Sequence, residues 1–257
     1  GRYHLLRLHP LSAAELGIRG TGDLRQLLKL GGFPEPFFSG SETQARRWSR
    51  EYRQLLVREE IAGLERIADL GNLELLVLRL PELVGSPLSV NALREDLQVS
   101  HKAVANWLRV LERMYAVFRL SPFGAARIRA VKKEQKHYHL DWSLVPADGP
   151  RFENLVATHL LKWSHYQQDA FGRDLDLRYF RDTDGREVDF VLVDGKRPVL
   201  FVECKWADAE VDRGLRYLKT RFPDAPAWQL SAAGTKDYRT PEGIRVAPAL
   251  RLLSGLV

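Results

Sequence analysis

Apolar residues recur every three or four positions through much of the first half of the chain, a period that predicts amphipathic helices. Helices are expected over Asp23–Leu30, from Thr43 to about Leu70 and over Leu73–Val84. The stretch "GGFPEPFF" separates the first two. Its residues Pro34 and Pro36 predict a rigid loop, because proline lacks the N–H that helices and sheet ladders use. The N-terminal region is therefore expected to be mainly helical.

A helix-turn-helix pattern follows in the segment "LSVNALREDLQVSHKAVANWLRVLERMYAVFRL". Its apolar positions are those that two packed helices bury, and Ser100 is placed to cap the second helix. A strand at Tyr115–Leu120, the basic loop "SPFGAARIRAVKK" and a returning strand "KHYHL" then predict the hairpin of a winged helix. The second helix turns small, hydrogen-bonding or basic residues away from its core: His101, Lys102, Ala105, Asn106 and Arg109.

The second half of the chain alternates between helix and strand patterns. A helix begins in "RFENLVATHLLKW", and the runs Leu177–Arg181, Glu187–Val193 and Pro198–Trp206 predict strands separated by turns. A further helix near Ala209–Arg221 and two short strands complete an α/β pattern. We divide the chain into a connecting segment (1–42), a helical region with the winged helix-turn-helix (43–148) and an α/β domain with a central mixed sheet (149–257).

Positive charge is concentrated around the predicted wing. The chain carries 39 Lys and Arg against 33 Asp and Glu, a net charge of +6, and residues 101–136 alone carry nine basic and two acidic residues, or 9 − 2 = +7. This cluster indicates nucleic acid, in particular double-stranded DNA, although a solvated face or a protein-docking winged helix would carry similar charge. The expected contacts are Ser100, His101, Lys102, Asn106, Arg109, Arg127, Arg129, Lys132 and Lys133.

Two sequence features bear on location. No run approaches the roughly 18 apolar residues of a membrane span, so no membrane association is expected. The sequence starts without the zones of a secretory signal, and its one cysteine, Cys204, excludes an internal disulfide. Together these features predict a cytoplasmic protein.

Acidic residues interrupt two otherwise apolar strands, Asp189 in "EVDFVLV" and Glu203 in "VLFVECKW". An unpaired buried carboxylate costs several kcal/mol, and two carboxylates repel each other unless a cation lies between them. Mg²⁺, or Mn²⁺ in its place, would resolve this conflict with a few carboxylate oxygens, water and substrate phosphate. Lys205 shares a strand face with Glu203 and is expected to handle water or phosphate.

A shared site sets a condition on the hairpin between these strands. With a two-residue connection and a regular ladder, Asp189 and Glu203 would lie on opposite faces, because the side-chain period is two. An odd connection or a bulge is therefore predicted at Asp194–Arg197. A second, weaker metal candidate is the alternating set His137, His139 and Asp141, for which no fourth ligand is evident.

These residues carry a resemblance. Asp189, thirteen intervening residues and then Glu203-Cys204-Lys205 resemble the signature of the restriction-endonuclease-like, PD-(D/E)xK, fold, and Glu153 matches the helical acid that often precedes it. With "GGFPEPF", the helix-turn-helix, "REVDFVL" and the opening "GRYHLLRLHPLSAAE", the chain resembles the C-terminal part of prokaryotic AAA-type ATPases that carry a nuclease-like domain of unknown function. One departure is glutamine in "KKEQKHYHLD", where proline is common.

The resemblance implies a function and a set of roles. It assigns metal ligation to Asp189 and Glu203, support to Glu153, and catalysis to these three acids with Lys205; the implied partner is an ATPase domain in cis or in trans. No G-x-x-x-x-G-K-[ST] loop occurs, so the chain has no ATP site of that kind. We expect a DNA-binding module with a Mg²⁺-dependent nuclease-like site; the alternative is a non-catalytic scaffold that binds DNA or protein through a degenerate nuclease fold.

Overall fold

The structure, a computed structural model, describes His4 and residues 6–57, 69–124 and 135–256. Residues 58–68 of the helix predicted from Thr43 to about Leu70 lie outside these ranges, and Asp69 is the non-helical N-cap of the next helix. The tip of the predicted wing also lies outside the described ranges. Four of the expected DNA contacts are therefore not described: Arg127, Arg129, Lys132 and Lys133.

Three helices open the fold: α1 (Thr21–Leu30), α2 (Pro34–Ser39) and α3 (Glu42–Leu55). The loop predicted for "GGFPEPFF" is wrong, since these residues include α2. Pro34 and Pro36 lie in its first turn, where a backbone N–H has no helical acceptor, so the missing donors cost nothing. Proline excludes a helix interior, not a helix start.

The next part contains α4 (Leu70–Arg79), a 3₁₀ turn at Leu80–Leu83, α5 (Val90–Asp96) and α6 (His101–Arg113). Strands β1 (Val117–Leu120) and β2 (Lys136–His139) then pair antiparallel. The helices share a core with β1, made largely of leucine, valine and one tryptophan. The predicted order of helix, turn, helix and two strands is thus observed as secondary structure.

A long helix, α7 (Asp148–Phe171), leads into a six-stranded mixed sheet. Along the sheet the strand order is β3-β4-β5-β6-β8-β7. Strands β5, β6 and β8 run parallel, and the other pairs are antiparallel. The predicted class, α/β with helices first and a mixed sheet after them, is confirmed. The elements are β3 (Leu175–Arg181), β4 (Glu187–Asp194), β5 (Arg197–Lys205), α8 (Arg213–Arg221), β6 (Ala227–Ser231), β7 (Tyr238–Arg239), β8 (Ile244–Pro248) and α9 (Leu250–Leu253).

The long helix α7 connects the two parts of the chain. Apolar residues of α7 pack on the sheet and on α1, and they share one core with Tyr138 of β2. The Asn154 side chain lies against β2: its Oδ1 accepts the His139 N–H at 2.8 Å and its Nδ2 donates to the His139 carbonyl at 2.6 Å. A third core lies between the sheet and α8. Strand β2 is therefore fixed to the α/β part rather than only to β1.

Within the described ranges, no helix has the length and apolar character needed to cross a membrane.

Candidate active site

A bulge brings Asp189 and Glu203 together. Leu192 pairs with Leu200 but Val193 pairs with Pro198, so Val199 is an extra residue in β5. The predicted bulge is confirmed, although it lies just beyond the Asp194–Arg197 turn. From the Phe190–Val202 pair, the register continues to Asp189 beside Glu203, which places both acids on one face.

The two carboxylates accept hydrogen bonds from backbone N–H groups at the point where the regular β4–β5 ladder ends. Glu203 Oε2 accepts the backbone N–H of Asp189 at 3.2 Å, and Asp189 Oδ2 accepts the backbone N–H of Cys204 at 2.9 Å. On its other side, β4 shifts register against β3 between Arg178 and Phe180. Strand β4 thus shifts register against both of its neighbours, and such irregularities are typical of strands that direct a side chain into a site.

Lys205 lies between two acids at the outer part of the site. Its Nζ is 2.8 Å from Glu203 Oε1 and 3.2 Å from Asp212 Oδ2. Asp212 caps α8 by accepting the Gly214 N–H at 2.7 Å, and its own N–H donates to the buried Gln229 at 2.9 Å. The Lys205 side chain retains 29% of its exposure, so it remains partly open to solvent.

A second lysine lies deeper, among the other acids. Strand β2 directs Lys136 toward the sheet, and its side chain is 1% exposed. Its Nζ is 2.5 Å from Glu187 Oε1, 3.4 Å from Glu153 Oε1 and 3.6 Å from Asp189 Oδ1. One ammonium group therefore contacts three carboxylates from α7 and β4.

Glu153, the acid predicted on the helix, lies at this deeper end. The Tyr138 hydroxyl donates to Glu153 Oε1 at 2.6 Å, beside the Lys136 contact. A Cβ added to Gly85 would lie 3.1 Å from Glu153 Oε2, so the backbone before α5 also approaches this carboxylate. The structure thus brings all four predicted catalytic residues to one region, with Glu153 directed to β2.

Burial and repulsion from neighbouring carboxylates raise the pKa values of the two central acids. Burial, followed by the charges of Glu153 and Glu203, raises the pKa of Asp189 well above its usual value. Burial raises the pKa of Glu203 to about 7, against the opposing effect of Lys205. Burial disfavours the Lys136 ammonium, but the surrounding carboxylates outweigh that effect and raise its pKa. The site contains more negative charge than its lysines balance.

Sequence reasoning missed four residues of this site: Lys136, Glu187, Asp212 and Gln229. Lys136 was counted only as part of the basic segment. Its alternation with Tyr138 along "KHYHL" places both on one strand face, and Glu187, two residues before Asp189, shares a face with it in the same way. These two could have been found. No local signal marks Asp212 or Gln229, since they reach the site only through the crossover.

The structure also bears on the second metal candidate. Across the described ranges, no three or more His, Cys, Asp and Glu side chains form a group that could hold a metal ion. The predicted set of His137, His139 and Asp141 is therefore not a metal centre. The His137 ring instead bonds to the Leu80 carbonyl at 2.8 Å, and Asp141 accepts the Ser49 hydroxyl at 2.7 Å.

Helix α6 displays the predicted basic face. His101, Lys102 and Arg109 are exposed, and Arg109 donates to Asn106 Oδ1 at 3.0 Å. Ser100 is the N-cap, its hydroxyl accepting the Ala103 N–H at 3.1 Å as predicted. His101 and Arg109 line a groove together with residues in or next to α5, β1 and β2: Ser89, Asn91, Arg119 and Gln135.

Comparison with known proteins divides the chain at the start of α7. Residues 21–148 match a family described as a domain of unknown function (DUF8612), and residues 148–252 match a second domain of unknown function (DUF4143). No curated protein and no solved structure matches the chain. The comparisons thus associate the helical part and the α/β part with separate domain families.

Proposed function

We propose that this protein is a DNA-binding module whose α/β part carries a Mg²⁺-dependent phosphodiesterase site on a restriction-endonuclease-like sheet. One observation carries the proposal: a bulge places Asp189 beside Glu203 on adjacent strands, both buried, with Lys205 two residues further along the same strand. This is the arrangement that the D…ExK spacing implies.

The charges of the site support a cation. Five carboxylates face three basic groups, one of which, Arg181, is 3.9 Å from Glu187. With every group ionised, two negative charges remain unbalanced (5 − 3 = 2), and a low-dielectric site makes such an excess costly. A divalent ion would balance it. The carboxylates are Glu153, Glu187, Asp189, Glu203 and Asp212; the other two basic groups are Lys136 and Lys205.

Four residues of the chain would have separate roles in hydrolysis. Asp189 and Glu203 would hold Mg²⁺, with water and substrate phosphate as its remaining ligands. When bound, the ion would neutralise phosphate charge and acidify a bound water. Lys205, partly exposed and held by Glu203 and Asp212, orients that water or binds the phosphate oxygen. Glu153 acts indirectly, by holding Lys136 and Tyr138 at the deeper end of the site.

The helical part supports the DNA-binding half of the proposal. Helices α5 and α6 followed by a two-stranded hairpin have the order of a winged helix, with α6 as the recognition helix. Its exposed His101, Lys102 and Arg109 suit phosphate and base edges in a major groove. Arg119, although basic, is occupied by Glu112 at 2.7 Å and contributes less free charge.

Nicking of supercoiled plasmid tests the catalytic claim. With Mg²⁺, the wild-type protein should nick DNA, and Glu203→Gln or Lys205→Met should lower the rate by about 100-fold or more, the scale at which single catalytic groups act. Glu242→Gln is the matched control, because Glu242 pairs with Arg216 at the surface of the same part of the fold. Equal rates for wild type and Glu203→Gln would contradict the claim.

Salt-dependent binding to duplex DNA tests the other half. Reversing the charges of Lys102 and Arg109 together should weaken DNA binding at least tenfold. It should also reduce the slope of log affinity against log salt concentration by about the contribution of two phosphate contacts. Reversing Arg46 and Arg47, which are exposed on α3, is the control and should change little. Absence of salt-dependent binding by the wild type would favour a protein-docking role for this helix pair.

A non-catalytic scaffold is the second candidate. The observation that favours it is that protein groups already contact both Asp189 and Glu203, including the two lysines. In this role the chain would bind DNA or protein and regulate an attached or separate ATPase, the partner that the family resemblance implies. Calorimetry separates the candidates: a scaffold should bind no Mg²⁺, whereas the phosphodiesterase should bind it, and Asp189→Asn should abolish that binding.

A further inference from the structure

Lys136 differs from Lys205 in how it can act. Its side chain is 1% exposed, against 29% for Lys205, so no substrate can touch it. It comes from β2, whereas its three carboxylate partners come from α7 and β4. A lysine buried this completely is rare unless it is paired, and here it has more acids than one charge can balance.

The position of the Lys136 ammonium group is that of a cation at the deeper end of the acid site. Its Nζ lies 2.5 Å from Glu187, 3.4 Å from Glu153 and 3.6 Å from Asp189. The Tyr138 hydroxyl occupies the same Glu153 oxygen at 2.6 Å. Glu153 therefore has a shared cation and a hydroxyl donor within the protein, while Glu203 at the outer end has Lys205 as its only close basic partner in the described residues.

We propose that Lys136 is a built-in cation that takes the place of a second metal ion, so that the site binds a single divalent ion between Asp189 and Glu203. This inference rests on the proposed function. It extends that function by specifying how many metal ions the site binds and which parts of the chain supply its residues. Lys136 is a positioning residue, because its ammonium group contacts Glu153, Glu187 and Asp189 and holds these carboxylates in place. The site is then complete only when both parts of the chain are present, since β2 supplies its inner cation.

The proposal predicts a specific gain when the charge is removed. In Lys136→Met, a side chain of similar length lacks the ammonium group, and three carboxylates lose their shared partner. The variant should bind one Mn²⁺ more than the wild type, because removing a nearby positive charge in a low-dielectric site strengthens cation binding. A lysine that served only to hold the fold would not change the number of ions bound.

Titration of the chain, residues 1–257, with Mn²⁺, with free ion followed by electron paramagnetic resonance, tests this. The wild type should bind one ion, and Lys136→Met should show the gain. Lys162→Met is the matched control: it removes a lysine of low exposure that pairs with Glu15, away from the site, and should behave as wild type. Two ions in the wild type, or identical binding by wild type and Lys136→Met, would overturn the inference.

A second measurement covers loss of folding and separates this inference from the proposed function. If Lys136→Met is unfolded without metal, Mn²⁺ should restore its thermal transition, and failure to do so would count against the built-in cation. If the wild type binds no Mn²⁺ but Lys136→Met binds one, Lys136 takes the place of a metal ion, and both the single-ion site and the metal-dependent reaction are wrong. If both bind as predicted but no DNA is nicked, only the reaction is wrong. No binding by either would reject both.

Discussion

His159 shows how far a single residue is determined by its surroundings. It lies in the middle of α7 and is buried. Its Nε2 accepts the Ala13 N–H at 2.9 Å, and its Nδ1 lies 2.8 Å from the Leu155 carbonyl. Only the neutral ring with its proton on Nδ1 satisfies both contacts. Burial, assisted by the charge of Lys162, lowers the pKa of His159 to about 4.

This arrangement predicts loss of stability in acid. The folded-state pKa of about 4 is below the ordinary value of 6.5, so the stabilisation from His159 is complete above pH 6.5 and is lost as the pH falls toward 4. When the pH is lowered from 7 to 5, the unfolding free energy of the wild type should fall by roughly 2 kcal/mol more than that of His159→Gln. Urea titrations at the two pH values measure this.

The control for this prediction is His101→Gln, since His101 is exposed on α6 and water solvates its ring in both states. Its unfolding free energy should change between the two pH values by the same amount as that of the wild type. Burial also lowers the pKa values of His137 and His139. Part of the dependence of unfolding free energy on pH should therefore remain in every variant. An unchanged pH dependence in His159→Gln would show that its ring is not held neutral as the contacts indicate.

At the scale of elements, the close approach of α8 to β4 sets the shape of the site. Gly214 lies in the first turn of α8, and a Cβ added there would be 2.2 Å from the Glu187 carbonyl oxygen. This packing brings Asp212, the N-cap of α8, within reach of Lys205. The glycine is required by the contact between the two elements and not by the helix itself.

Gly214→Ala should therefore separate α8 from β4. We expect a loss of about 1–3 kcal/mol in unfolding free energy, the usual cost of overpacking, measured by chemical denaturation. Gly149→Ala is the matched control, because Gly149 lies in the first turn of α7 with no atom within 4 Å of an added Cβ. An Ala variant at position 214 as stable as the wild type would mean that α8 can shift freely.

At the scale of the whole molecule, the two parts of the chain share a core and a site. Tyr138 of β2 belongs to the same apolar core as α7 and the sheet, and Lys136 enters the acid site from the same strand. Asn154 bonds to both backbone groups of His139, as a neighbouring strand would. The helical and α/β parts should therefore unfold together.

Asn154→Ala tests this coupling. It leaves two buried backbone groups of His139 without these partners, which should cost about 2–4 kcal/mol. Tryptophan fluorescence and far-ultraviolet circular dichroism should still report one shared transition. Asn91→Ala, an exposed asparagine on α5, should leave stability nearly unchanged. Two separated transitions in the wild type would contradict a shared core.

The elements were largely predictable, because local periodicity determines them. The strands predicted at Glu187–Val193 and Pro198–Trp206 agree with β4 and β5 within a residue or two. The bulge between them also followed from sequence, since two buried acids had to share a face. The proline-rich α2 was missed because proline was taken to exclude a helix, although the first turn tolerates it.

The sequence by itself determined the α/β order, the cap at Ser100 and the pairing of Asp189 with Glu203, because each depends on residues close along the chain or on a strand period. Only the tertiary structure decided that Lys136, some 50 residues before Asp189, lies among the acids, and that Asp212 holds Lys205. Contacts between distant segments depend on how helices and strands pack, and neither periodicity nor composition contains that packing.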